Sequence, residues 1–134
     1  MILDAIRLVR DIKSKGFTID LWGTLLNVPQ LIGGLVFIMT VEGQMVFATA
    51  VVTLVIAGQI HKREPFSRLI GSCHLPWLLL LPWLAYRLQH FEHSLLMNVW
   101  GWYVAATILL SLVFDGFDLV RYARGQRRYS WADN

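Results

Sequence analysis

Charge is what this sequence is short of. Only 16% of its 134 residues are Asp, Glu, Lys or Arg, while 56% are hydrophobic, and no charged side chain falls within residues 43–60 or 69–86. Soluble domains carry roughly 25% charged residues, so these gaps and a mean hydropathy of +0.53 take the chain out of the soluble class. Cysteine is nearly absent too. With Cys73 alone, an intramolecular disulfide and a four-thiolate metal site are both excluded.

Other absences narrow the chemistry. No glycine-rich phosphate loop, Walker pattern or dinucleotide fingerprint occurs, and no zinc-protease spacing of His and Glu. Ser67, Ser72 and Ser111 lack any motif that would activate them, and Cys73 in apolar surroundings would hold its proton tightly. Haem ligation needs histidines on facing helices, and only His74 lies clearly within an apolar run. Met1 to Lys15 has no uninterrupted apolar core and no small-residue cleavage site follows, so a signal peptide is not expected and the first apolar run stays.

What is present is apolar length. Crossing ~30 Å of hydrocarbon takes about 20 apolar residues, because lipid offers no partner to open backbone groups. Four stretches approach this, residues 21–41, 44–60, 69–86 and 95–118. The expected fold is therefore all-α, one membrane domain over residues 1–134. It comprises a bundle of four transmembrane helices, an N-terminal amphipathic interfacial helix over 1–16 and a basic tail over 119–134.

The N-terminal helix follows from periodicity: Ile2, Ala5, Ile6, Val9 and Ile12 cluster on one side, with Asp4, Arg7, Asp11, Ser14 and Lys15 opposite. It suits the membrane surface, and docking on a protein partner would need the same pattern. Orientation follows from the Lys and Arg count. Eleven of the twelve flank one side, in segments 7–15, 62–68 and 121–128, and only Arg87 falls on the other. Both termini are thus expected in the cytoplasm, with the protein in the inner membrane. The same bias opposes dual-topology pairing and a re-entrant third span. Basic residues beside apolar spans, at a pI near 9.4, point to anionic lipid head groups and not to nucleic acid. In the tail Arg121, Arg124, Arg127 and Arg128 are the lipid contacts, with Tyr122, Tyr129 and Trp131 at the interface.

Proline and small residues punctuate the spans. Pro29 withdraws a donor from the carbonyl of Leu25, and Pro76 and Pro82 do the same to Ser72 and Leu78, so kinks are expected at all three. Gly33, Gly34, Gly101 and Ala105 allow close helix packing, inside the bundle or between subunits. Trp100, Trp102 and Tyr103 suit the outer aromatic belt.

Polar groups gather in the cytoplasmic half. An intramembrane ionisable group is a functional candidate, since an unpaired charge there is costly. His74 with Asp115 is the principal pair, with Asn27, Gln30 and Ser72 as neighbours, forming a candidate ion, proton or ligand site. The competing reading pairs Asp115 with Arg121 or Arg68 and leaves His74 on a carbonyl freed by proline. In the outer loop His90 and His93, three residues apart, form a weak metal pair, with Glu42 as the only evident third ligand. No cofactor is indicated. The leading expectation is non-enzymatic: a small membrane protein working as a homo-oligomer or as an accessory subunit of a larger membrane complex. A homo-oligomeric channel or transporter for a small ion is the alternative, and an enzyme on lipid head groups the third.

Overall fold

In the computed structural model, which describes residues 1–130, helices follow one another with no strand among the described residues. They are α1 (Ile2–Lys15), α2 (Phe17–Val36), α3 (Val41–Arg63), a 310 helix (Arg68–His74), α4 (Trp77–His90) and α5 (Leu95–Ala123). Hydroxyl caps fix three of the starts. Thr40 accepts from the Gly43 amide at 3.1 Å, Ser67 from Leu69 at 3.2 Å and Ser94 from Met97 at 3.3 Å, each satisfying a donor the helix leaves open.

Two helices are long and apolar enough to cross a membrane, α3 and α5, or three if the 310 helix and α4 count as one broken span. By length and composition, then, two or three of the four expected spans are shown. α2 has the length, but Asp20, Asn27, Gln30 and three glycines dilute its hydropathy. α4 is apolar, but at 14 residues it reaches only about 21 Å at ~1.5 Å per residue. The third stretch also bends less evenly than expected. Its axis turns by 40° at the break before α4, where Pro76 is the N-cap, while Pro82 is accommodated inside the helix.

Two of the three carbonyls expected to open at prolines find donors. That of Ser72, opened by Pro76, accepts from Leu75 at 3.2 Å in the 310 turn. That of Leu25, opened by Pro29, accepts the Tyr103 hydroxyl of α5 at 2.7 Å. Trp100 donates its indole N–H to the Pro29 carbonyl at 2.9 Å. Two of the three expected belt aromatics therefore tie α5 to the proline region of α2, Tyr103 while keeping part of its surface exposed.

The core runs through the middle. Leu26, Val46, Trp77, Leu84, Val104 and Ile108 are buried together. Glycines set the approach distances. A Cβ on Gly33 would lie 1.9 Å from Trp100, one on Gly34 2.8 Å from Phe47, and one on Gly101 2.6 Å from Leu88. Ala105 joins the same core, so the small residues of α5 face α4 inside the molecule.

α1 divides its apolar side. Leu8 is buried with Ala57 of α3 and Cys73 of the 310 helix, whereas Ile2, Leu3, Ile6 and Val9 are exposed. Gly58 makes the docking close, since a Cβ there would stand 2.6 Å from the Ala5 backbone nitrogen. Asp4 accepts from the Gln59 amide at 2.9 Å, and His61 bonds Asp11 at 3.1 Å. The helix expected at the lipid surface is thus also a docked element of the fold. Gly58→Val should push α1 away, overpacking costing about 1–3 kcal/mol. Amide exchange should rise across residues 2–15 and stay unchanged in the outer half of α5; unchanged exchange in α1 would contradict the close contact.

Candidate functional site

Among the described residues, three clusters of ionisable groups join the third apolar stretch to segments distant in sequence. The first is the pair singled out by sequence. His74 closes the 310 helix and Asp115 lies on α5, and their Nδ1 and Oδ2 atoms stand 2.7 Å apart. Their side chains are 15% and 14% exposed. Trp77 stacks on the imidazole, with ring centroids 3.9 Å apart and planes 12° from parallel. Gly71 allows α5 this close: a Cβ there would lie 2.9 Å from Asp115 Oδ1. Ser111, one turn earlier, places its hydroxyl 3.5 Å from the same carboxylate oxygen.

The expected neighbours do not join. Ser72 spends its hydroxyl on the Leu69 carbonyl at 2.7 Å, and Asn27 donates to the Gly23 carbonyl at 2.9 Å. Gln30 is fully buried, and neither amide atom has a hydrogen-bond partner. The pair is therefore local to the 310 helix and α5.

The second cluster lies at the same end. Arg68 donates to Asp118, taking the role that one reading gave to Asp115. The Tyr129 hydroxyl donates to the other Asp118 oxygen at 2.9 Å, and the Arg68 guanidinium lies 4.9 Å from the Tyr129 ring centre. Burial first, and then the neighbouring carboxylate of Asp118, push the Tyr129 phenol far above its ordinary value, so it remains a donor. Backbone bonds complete the fold-back, from Arg68 to the Arg127 carbonyl at 2.8 Å and from Tyr129 to the Phe66 carbonyl at 3.1 Å.

The tail is consequently a docked part of the fold. Arg121, Arg124, Arg127 and Arg128 expose their side chains, while the backbone of 127–129 pairs with 66–68. Trp131 lies outside the described residues. Phe66 turns through a left-handed φ of 54°, a conformation costing a bulky residue about 1–2 kcal/mol. Its amide donates to His61 Nδ1 at 3.3 Å. His61 must then carry its proton on Nε2, toward Asp11.

The third cluster sits at the opposite end, and of its contacts only the approach of Glu42 to His93 was expected. Glu42, at the start of α3, is 3% exposed. Its Oε1 accepts from Arg87 Nε at 2.7 Å and lies 3.1 Å from His93 Nε2. A signal for it was present, since Arg87 is the one cation and Glu42 one of two acids on that side. His90 turns elsewhere, stacking on Tyr86 and placing Nδ1 3.0 Å from the Tyr86 carbonyl. The two histidines of the expected metal pair therefore turn to different partners, and among the described residues no group of three His, Cys, Asp or Glu side chains is placed to hold a metal ion. The reason is electrostatic, because a buried carboxylate next to Arg87 captures His93.

Fold and clusters together define an all-helical protein with two or three helices able to span a membrane and its buried charges paired internally. The chain matches no protein-family model, no curated protein and no solved structure.

Removing one member of a buried pair leaves the other uncompensated, typically at about 3–5 kcal/mol, whereas replacing both with apolar groups can be neutral. Asp118→Leu alone should thus lower the thermal midpoint strongly, and Arg68→Met with Asp118→Leu should recover most of the loss; an additive double variant would show the pair uncoupled. Cys73, 1% exposed, should resist maleimide until the protein unfolds. Labelling in the folded state would be inconsistent with its burial beneath α1.

Proposed function

We propose that the protein is a small membrane-embedded helical subunit that acts in an assembly, with copies of itself or with larger membrane partners, and not as a catalyst. The observation that carries this reading is the disposition of apolar surface. Leu21, Leu25, Val28 and Ile32 of α2, and Leu109, Val113, Phe117 and Val120 of α5, are exposed, whereas the charge pairs face inward. Such a surface fits lipid or other transmembrane helices. Trp77, Leu84, Val104 and Ile108 close the middle of the bundle, so one copy offers little room for a substrate path.

In this reading α2 also lies in the bilayer. Mean hydropathy undervalues it because Gln30 points inward and its outward stripe is apolar. Its partner α3 has spanning length, and Gly34 packs against Phe47 along their contact. Four elements then cross in alternation, with both termini on the cytoplasmic face of an inner membrane. Arg87, the lone cation at the other end, is neutralised by Glu42, which supports this orientation. Exposed Ile2, Ile6 and Val9 of α1, beside Arg7, Arg10 and Lys13, support contact with anionic head groups.

The test is the mass of the protein with any companions in mild detergent. Several copies, or stoichiometric membrane subunits, are expected; a monodisperse, partnerless monomer that carries ion flux in liposomes would overturn the reading. For orientation, in a Cys73→Ser background, Gln126→Cys should label only from the cytoplasmic side and His90→Cys only from the other. The reverse pattern would invert the topology.

A second reading, a homo-oligomeric small-ion or proton pathway, is favoured by the His74–Asp115 pair. It requires that Asp115→Asn reduce flux in liposomes, and unchanged flux would remove it. An enzyme acting on lipid head groups gains nothing from the outer histidines, which turn to different partners.

A further inference from the structure

α5 is the longest helix, with 29 residues, and only part of its circumference is used inside the molecule. Gly101, Val104, Ile108 and Ser111 face the core, and Asp115 and Asp118 turn to His74 and Arg68. The opposite side is exposed from end to end.

That side carries a regular seam. From Leu95, steps of four and three residues in alternation lead to Ala123, and every position on the way is exposed and either apolar or small. Val99, Ala106, Val113 and Val120 fall at one point of the seven-residue repeat, and Leu95, Trp102, Leu109 and Gly116 at the other. Asn98, Tyr103, Arg121 and Arg124 lie beside the seam and do not interrupt it. Such a repeat keeps one line of residues facing a second helix through a shallow left-handed supercoil. β-branched residues at the first point with leucine at the second favour two parallel strands.

Lipid explains an apolar surface but not its small members. Ala106, Gly116 and Ala123 are the exposed Ala and Gly residues of α5, and all of them fall on the seam. Inside a helix glycine is about 1 kcal/mol less favourable than alanine. Gly101 is accounted for by Leu88, which a Cβ there would meet at 2.6 Å. A Cβ on Gly116 would meet nothing within 4 Å, so no neighbour in its own chain requires it. In membrane helices such residues let a second backbone approach closely.

We infer that the α5 seam is the interface with a second copy of this chain, the two α5 helices packing in parallel about a twofold axis. This rests on the assembly reading above and names its contact. In that reading every copy inserts the same way round, so two α5 helices run parallel. A twofold axis along the membrane normal then sets each seam residue against its own counterpart. The large Trp102 is followed on the seam by small Ala106, and Val113 by Gly116, an alternation that lets two identical seams interdigitate. The charges of the last turns stand off the seam, so the match brings no like charges face to face.

The test is disulfide trapping in membranes, in a Cys73→Ser background. On oxidation, Leu109→Cys, Val113→Cys and Val120→Cys should form dimers at several-fold the yield of Leu110→Cys, Phe114→Cys and Phe117→Cys. Only seam positions bring two Cα atoms within the roughly 4.4–6.8 Å that a disulfide spans. Gly116→Leu fills space that the chain itself leaves open, so helix content should not change. Self-association, read as energy transfer between copies labelled at Gln126→Cys, should weaken about tenfold or more. Equal dimer yields at the two sets of positions would overturn the inference, as would a Gly116→Leu protein that associates as before. Cross-links confined to Val28→Cys and Ile32→Cys of α2, or companions at fixed stoichiometry with no α5 cross-link, would overturn it and leave the assembly reading standing. A partnerless monomer would overturn both.

Discussion

Basic side chains along the third apolar stretch are held by acids from distant parts of the chain, and the fold depends on that pairing. Arg68 reaches Asp118, His74 reaches Asp115 and Arg87 reaches Glu42, spanning separations of 50, 41 and 45 residues. In an apolar setting an unpaired charge is so unfavourable that few alternative arrangements survive. Two of these pairs join the 310 helix to α5, and the third joins the beginning of α3 to the end of α4. The broken third segment is therefore fastened at both ends, which compensates for the continuous hydrogen-bond ladder it lacks.

The prolines act within the same frame. A proline in a membrane helix leaves a carbonyl that lipid cannot satisfy, and neighbouring groups must supply the donor. At Pro29 the donors come from α5, through Tyr103 on Leu25 and Trp100 on Pro29 itself. At Pro76 the repair is local, since the 310 turn brings Leu75 back to Ser72. Pro29 thus becomes a point of attachment between helices, whereas Pro76 becomes a bend. Gly33 completes the first arrangement, because any side chain there would occupy the space of the Trp100 indole.

Helical class and the pairing of His74 with Asp115 were legible in the sequence because both follow from local rules, apolar length and inward placement of polar groups. Spanning capacity was less legible. Charge-free length alone takes no account of the polar residues and glycines that lower the hydropathy of α2, or of the division of the third stretch at Pro76 into pieces too short to cross singly. The amide neighbours failed for a different reason. Depth along a helix placed Asn27 and Gln30 in the right half, but their azimuth is set by α2 packing on α3 and α5, which periodicity does not contain. The outer trio escaped because histidine spacing suggested a metal, whereas scarcity of opposite charges at that end was the better guide.

Both ends of the bundle solve the same electrostatic problem with different surroundings. At the basic end, Asp118 is enclosed by a guanidinium, a phenol and a tail that folds back over residues 66–68, while Arg68 Nε is left without a hydrogen-bond partner. At the other end, Glu42 has a comparable count of donors, yet the wall beside it opens into a cleft and one imidazole nitrogen is left unmatched. The contrast arises from chain connectivity. A tail of sufficient length follows α5 and covers the first cluster, whereas α4 and α5 are joined by a short link whose residues line the cleft without filling it.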